Sequence, residues 1–217
     1  MSNLATLRGR VAAILGDSAN VRYSTGLLDE ALRIAIENYS QAFPQIKTAA
    51  HTATAGGTQT LSTFTDLQHI IRIYYPYDAA DEIHQPYACG YYYFWQDGAV
   101  RLDLFNTPSI PQAGDPIVID YAAPHTLEDL DGAEATTIPP QHFTAIINGA
   151  AGEAAMVRAQ NMVEAYGQRS DETNKLKEWA INKMAIYERF LNTLAHTPPP
   201  GPALGLSGQR WRLDPDD

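Results

Sequence analysis

Apolar residues recur at helical spacing near both ends of the chain, and a segment with strand-like patterns separates them. The pattern predicts four helices. Gly16, Pro44 and Gly167 are placed to end the first three, and Ser24 or Thr25 to cap the second. The apolar stripes of the helices are Leu4, Leu7, Val11 and Ile14, then Leu28, Leu32, Ile36, Tyr39 and Phe43, then Phe143, Ile147, Ala150, Ala154 and Val157, and last Leu176, Ala180, Met184, Tyr187, Leu191 and Leu194.

The segment between the second and third helices is rich in β-branched and aromatic residues, which are typical of strands. Asp97-Gly98 is a strong signal for a two-residue turn between two strands. The predicted strands lie near residues 59–61, 67–75, 91–96, 99–105 and 117–121. Such a set indicates a small antiparallel sandwich or barrel of about four or five strands. Because helices precede and follow it, this part of the chain is interpreted as an insertion.

These patterns predict an α+β fold: a bundle of about four helices with an inserted small antiparallel β domain and an extended C-terminal tail. The helical bundle is expected to comprise residues 1–44 and 138–196, and the β domain residues 45–126. Residues 127–137 are an acidic connector, and residues 197–217 form the tail. Gly149 and Gly152 on the third helix would allow another backbone to come close.

Two apolar surfaces are candidates for contact between subunits. On the fourth helix, Trp179, Ile186 and Phe190 widen the stripe, so that it can touch both a neighbouring helix and something beyond it. Deeper burial inside a monomer is the alternative for this helix. On the strand at 91–96 successive side chains alternate between faces, so Tyr92 and Phe94 share one face and their neighbours the other. One of these faces is expected in the domain core and the other against a neighbour.

The tail combines a proline-rich start with apolar and basic residues. The prolines at 198–200 favour an extended path. Trp211 lies between Arg210 and Arg212, and both residue types are enriched at interface hot spots. The residues expected to bind another subunit or a partner are Leu204, Leu206, Arg210, Trp211, Arg212 and Leu213. A disordered terminus is the alternative, although Trp is uncommon in disordered ends.

Acidic residues outnumber basic ones, 25 to 15, which gives a formal net charge of −10. A protein that grips DNA through its phosphates needs a basic surface, whereas an acidic wall repels DNA and lets it slide past. Charged residues make up only 18% of the chain, below the roughly 25% typical of soluble domains, which fits extensive contact with partners. No apolar run is long enough to span a membrane, and the N-terminal residues lack the features of a secretory signal.

No motif for catalysis or cofactor binding stands out in the sequence. A nucleophile elbow, a zinc-protease helix and a phosphate loop are all missing. The single cysteine, Cys89, allows no internal disulfide and no cysteine-rich zinc site. We therefore expect no enzyme, no metal and no cofactor. The six histidines lack metal-ligand spacing and are expected to be surface or structural residues: His51, His69, His84, His125, His142 and His196.

Several segments together resemble the head-to-tail adaptor proteins of tailed bacteriophages, in the variety that carries a β insertion. The resemblance covers residues 1 to about 195, and the combination of segments is more specific than any one of them. The matching segments are residues 4–17 for the first helix, 23–44 for the second, 70–76 and 118–121 with His125 in the β insertion, and 138–151 for the third helix.

This resemblance implies a ring of copies, dodecameric as a rule, that is attached to the portal and joined to tail or nozzle proteins. Double-stranded DNA would pass through its bore without specific recognition, and the C-terminal segment would reach the portal. The protein would belong to the virion neck and be assembled in the host bacterial cytoplasm. The residues themselves leave two alternatives open. One is an attachment module that holds carbohydrate on the aromatic β segment, and the other is a small hydrolase with a dispersed site.

Overall fold

The computed structural model of the chain describes residues 3–78, 80, 90–105, 107–166 and 171–195. These residues contain helices at both ends and strands between them, which confirms the predicted α+β class. The helices are α1 Leu4–Ile14, α2 Thr25–Ala42, α3 Phe143–Tyr166 and α4 Asp171–Ala195, with a 3₁₀ turn at Pro140–His142 before α3. The strands are β1 Gln45–Thr52, β2 Thr58–Leu61, β3 His69–Tyr74, β4 Gly90–Gln96, β5 Ala99–Phe105 and β6 Pro116–Ala123.

Local hydrogen bonds set the starts of the first two helices. The Asn3 side chain accepts the N–H of Thr6 at 3.1 Å, and Ser24 accepts the N–H of Leu27 at 3.3 Å. Both are N-caps, which satisfy donors that the first helical turn leaves unpaired. Ser24 is therefore the cap of α2, one of the two residues that the sequence predicted. Gly16, with φ of +65°, follows α1 in the left-handed conformation that favours glycine.

The loop between α1 and α2 is organised by one buried carboxylate. Asp17 accepts the backbone N–H groups of Val21, Arg22 and Tyr23 at distances of 2.7 to 3.0 Å. Burial disfavours the charged form of Asp17, but these three donors outweigh it and lower the pKa of the carboxyl group. Arg158 of α3 donates to the carbonyl oxygen of Arg22 at 2.7 Å, which ties the loop to the third helix.

The four helices share one apolar core, and α3 is its centre. Alanines dominate the buried face of α3, so the neighbouring helices can approach it closely. The acidic connector at 127–137 also contributes, because Leu127 and Leu130 are buried in this core. Its fully or nearly fully buried members are Leu4, Leu7, Val11, Ala12, Tyr23, Leu28, Ala31, Leu32, Ala35, Ile36, Tyr39, Leu127, Leu130, Ile138, Phe143, Ile146, Ile147, Ala150, Ala151, Ala154 and Tyr187.

Two glycines of α3 set its spacing from α4. A Cβ on Gly152 would lie 3.1 Å from the carbonyl oxygen of Ala180 and 2.7 Å from Cγ of Met184. The predicted close approach of another backbone is thus confirmed at this position. At Gly149 the neighbour is a side chain instead, since a Cβ there would lie 2.6 Å from Cδ1 of Tyr187.

The strands form two three-stranded antiparallel sheets with the orders β1-β6-β3 and β2-β5-β4. The β4–β5 hairpin turns at Asp97 and Gly98, which have φ values of 52° and 75°, as the sequence predicted. A second core lies in this part of the chain, formed by Ala53, Leu61, Phe64, Leu67, Ile70, Ile73, Tyr75, Val100, Leu102, Leu104, Ile117, Ile119, Tyr121 and Ala123.

The first strand, β1, is a correction to the prediction of four or five strands. Its burial alternates along the whole strand, but its side chains are mostly small or polar, such as Thr48 and Ala50. Such residues give little hydrophobic contrast between the faces, so the pattern carried no strand signal. The strand exists because each residue from Gln45 to Thr52 pairs with one of β6. The domain boundaries expected from the sequence stay a prediction.

Candidate interaction surfaces

The predicted apolar surface of α4 is divided between the inside and the outside of the subunit. Trp179 and Phe190 are partly buried and pack against the helical core. Ile186 is 47% exposed, and Ile181, which the sequence reasoning missed, is 49% exposed. Lys183 lies over the indole ring of Trp179, with its Nζ 5.4 Å from the ring centre. The exposed part of α4 is therefore narrower than expected, and its role in subunit contact stays a prediction.

The predicted alternation along β4 is confirmed for Tyr91, Tyr92 and Tyr93 but is wrong at Trp95, which is 57% exposed beside the hairpin turn, while Phe94 is half-buried. Tyr91 and Tyr93 pack against the β core, whereas Tyr92 is 60% exposed on the opposite face. Tyr92 and Phe94 lie with their ring centres 5.6 Å apart.

The cross-strand partners of these two rings are charged. Tyr92 is paired with Asp103 of β5, and Phe94 with Arg101. We call these four residues the β4–β5 face. It combines aromatic rings with both signs of charge, a composition that suits a contact with protein.

Five rings form an aromatic junction where the helical part of the chain meets the strands. Tyr39 and Phe43 come from the end of α2, His125 follows β6, His142 closes the 3₁₀ turn, and Phe190 belongs to α4. In six pairs of these rings, the ring centres are 5.0 to 6.1 Å apart. The junction thereby joins α4 to the two places where the chain passes between helices and strands, from α2 to β1 and from β6 to α3.

The surroundings of the aromatic junction favour the neutral form of its two histidines. Burial lowers the pKa of His142, and the hydroxyl of Tyr39 lies 2.6 Å from its Nδ1. Burial likewise lowers the pKa of His125, against the opposing effect of the carbonyl groups of Thr137 and Phe43. Burial also raises the pKa of Tyr39, so its hydroxyl stays protonated and shares a hydrogen bond with Nδ1 of His142. These two histidines are structural, as predicted, although nothing in their spacing showed that they meet.

The remaining histidines and the acidic residues have side chains of the kind that binds metal ions, but the sequence predicts no metal site. Among the residues that the structure describes, no group of three or more His, Cys, Asp or Glu side chains could hold a metal ion. His51 lies partly buried on β1, and His69 is exposed at the start of β3. His84, Cys89 and His196 lie outside the described residues. None of the described helices has the length and apolar character that crossing a membrane requires.

The predicted partner-binding residues of the tail also lie outside the described residues: Leu204, Leu206, Arg210, Trp211, Arg212 and Leu213. What the structure describes is the place from which the tail departs. α4 ends at Ala195, beside a groove of about 480 Å³ between α2, α3 and α4. We call it the helical groove. Its lining residues are Asn38, Gln41, Ala42, Glu153, Met184, Tyr187, Glu188, Leu191, Asn192 and Ala195.

Comparison with known proteins identifies the family. A family model described as SU10 adaptor protein matches residues 2–192, which include every helix and strand described above except the last three residues of α4. The chain belongs to the SU10 adaptor protein family. This confirms the predicted resemblance to the head-to-tail adaptors of tailed bacteriophages, and it makes the chain a bacteriophage adaptor, a structural protein of the virion.

One solved structure similar to this adaptor is described as the neck of an empty GTA particle computed with C6 symmetry. Its matching chain is 18% identical, and the alignment covers 76% of the adaptor and 78% of that chain with a TM-score of 0.29. No curated protein matches the adaptor sequence. Family membership favours the adaptor over the carbohydrate-binding module and the hydrolase that the sequence left open.

Proposed function

We propose that this adaptor forms a closed ring, dodecameric as its sequence resemblance implies, that joins the portal to the tail and lets the genome pass. The observation that carries the proposal is the family match over residues 2–192. Rings of three or more identical subunits bury a different patch on each side of every subunit, so each copy needs two separate contact surfaces. The exposed part of α4 and the β4–β5 face supply two candidates on different parts of the fold.

The charge of the chain supports passage of DNA without binding. Proteins bind DNA tightly by neutralising its phosphates with Lys and Arg side chains. In this chain acidic residues outnumber basic ones and the net charge is −10, so such binding is disfavoured. A bore with this balance would repel the duplex from its wall and leave it free to slide. We expect weak contact with DNA that is independent of sequence, and no enzymatic step.

The tail supports attachment to the portal. Its apolar residues and its Arg210-Trp211-Arg212 peptide suit a segment that becomes ordered on a partner. A single peptide of this kind binds weakly, since ordering it costs conformational entropy. A ring presents many tails at once, so the combined affinity for a portal ring exceeds that of one tail by orders of magnitude.

Electron microscopy of the purified adaptor, alone and mixed with its portal, tests ring and partner together. We expect ring-shaped particles and a complex in which one ring sits coaxially on the other. A chain lacking residues 197–217 should keep its fold and fail to join the portal. The triple variant R210A/W211A/R212A keeps the full length of the tail, so it should also fail to join the portal if these three side chains make the contact. Normal portal binding by the truncated chain, or a protein that stays monomeric with the portal present, contradicts the proposal.

A further inference from the structure

The helical groove combines apolar side chains with acidic ones and is lined by no basic residue among those described. Its apolar part comes from Met184, Leu191 and Ala195 of α4 and from Ala42 of α2. At about 480 Å³ it is large enough for a large aromatic side chain with part of its neighbours. Ala42 is the last residue of α2 and Ala195 the last of α4, so the groove opens where both helices end.

The two charged side chains that line the helical groove are both acidic. Glu153 and Glu188 line it, and the described lining residues include no Lys or Arg. Glu153 is partly buried and has no ion pair with any residue in the described part of the chain. Burial without a cation raises the pKa of this carboxyl group. A guanidinium placed beside Glu153 would remove that penalty, because a charge-assisted hydrogen bond favours the ionised carboxylate.

The same chain carries a segment with the complementary chemistry. Arg210, Trp211, Arg212 and Leu213 combine an indole, two guanidinium groups and an aliphatic side chain within four successive positions. We propose that the helical groove binds residues 210–213 of its own chain before the subunit assembles. The indole of Trp211 covers the apolar part of the groove, and the two arginines pair with Glu153 and Glu188.

The connection between groove and segment has ample length. Along α4 the groove extends from Met184 to Ala195, about 16 Å at the rise of an α-helix. Residues 196–209 can span up to roughly 45 Å when extended, so the chain can leave Ala195, turn and return along the helix. An intramolecular contact over this span needs only weak intrinsic affinity, because the linker keeps the local concentration of the segment near the millimolar range.

This inference goes beyond the ring function, since it concerns the single subunit and not its partner. A docked segment covers apolar residues in the free subunit and can be exchanged later for another binding surface. The tail would then be released by competition, not by unfolding of the helices. Failure of this inference and failure of the ring proposal are distinguishable, because the test below uses the adaptor without portal.

Photo-crosslinking in the full-length adaptor, at a concentration low enough for light scattering to show single subunits, tests the contact directly. Benzoylphenylalanine replaces Gln41, an exposed lining residue of the helical groove, and a control carries it at Ile110, which is 66% exposed between β5 and β6 and does not line the groove. Equal amounts of ¹⁴N and ¹⁵N protein are mixed, so that mass spectrometry separates crosslinks within a chain from those between chains. We expect crosslinks from position 41 to residues 204–217 of the same chain, and none to that segment from position 110.

Charge removal provides the second measurement. The pair of substitutions Glu153→Gln and Glu188→Gln should lower the crosslink yield by roughly ten-fold, since each guanidinium loses its charged acceptor. Glu178→Gln, on an exposed position of α4 that does not line the groove, should leave the yield unchanged. Crosslinks that join position 41 to the tail of another chain would overturn the proposal. The proposal would also be wrong if no tail crosslinks form, or if the two substitutions leave the crosslink yield unchanged.

Discussion

The contact between Gly149 and Tyr187 gives a sharp test of how the helical bundle is packed. A methyl group at position 149 would lie 2.6 Å from Cδ1 of Tyr187 and 2.8 Å from its Cγ. Ordinary carbon contacts need about 3.5 Å, so the ring would have to move by about 1 Å. It is held in place at its other end, because its hydroxyl donates to the carbonyl oxygen of Ala35. Gly149→Ala therefore requires α3 and α4 to separate or this hydrogen bond to break.

The expected magnitude follows from two opposing effects. Replacing glycine by alanine inside a helix stabilises it by about 1 kcal/mol. Forcing an extra carbon into a packed core costs about 1 to 3 kcal/mol, and losing a buried hydrogen bond adds about 1 kcal/mol. We expect Gly149→Ala to lower the free energy of unfolding by about 2 kcal/mol, which lowers the Tm by roughly 4 to 8 °C for a chain of this size.

Gly9 provides the matched control. It also lies inside a helix, α1, but a Cβ there would meet no atom within 4 Å. Gly9→Ala should thus raise the free energy of unfolding by about 1 kcal/mol. Urea unfolding followed by circular dichroism, at one protein concentration for all variants, compares the two substitutions. If Gly149→Ala stabilises the protein as much as Gly9→Ala does, the proposed packing of Tyr187 on Gly149 is wrong.

Three further outcomes are expected. Burial holds the pKa of His125 and His142 below the unfolded value of about 6.5, so these histidines should not reduce the free energy of unfolding above that pH. The free energy of unfolding should decline as the pH falls through about 6.5 towards the folded pKa values. Urea midpoints measured between pH 8 and pH 5 should show this decline, and H142Q should make it smaller. Asp17→Asn should lower the Tm and expose the backbone amides of its loop to hydrogen exchange, because one acceptor oxygen and its charge are lost; unchanged exchange would contradict this assignment. Tyr92→Ser with Phe94→Ser should leave the far-ultraviolet circular dichroism spectrum unchanged but reduce the particle mass measured by light scattering at a given concentration, whereas an equal mass would remove the β4–β5 face from the candidates.

Much of the fold could be read from local patterns in the sequence. The stripes of α2 and α4 repeat often enough to identify amphipathic helices, and Ser24 and Pro44 limit α2 by backbone chemistry alone. The Asp97-Gly98 turn fixed the β4–β5 hairpin, since both residues adopt a positive φ at little cost. Each of these signals depends on residues only a few positions apart.

The features that were missed depend on residues far apart in the chain. β1 became visible only through its pairing with β6, about 70 residues later. His125 and His142 meet at the aromatic junction because the chain crosses there from strands back to helices, an arrangement that no spacing encodes. Leu127 and Leu130 looked like part of a polar connector and proved to be core residues.

The sequence by itself thus determined the helices, the hairpin and the family, because helical periodicity, capping and turn chemistry act over a few residues and leave a local record. The tertiary structure decided which apolar residues stay outside. Trp179 and Ile186 belong to the same helix and the same sequence pattern, yet one packs against the core and the other remains 47% exposed. The difference comes from where the helical core meets α4, and that is set by long-range packing.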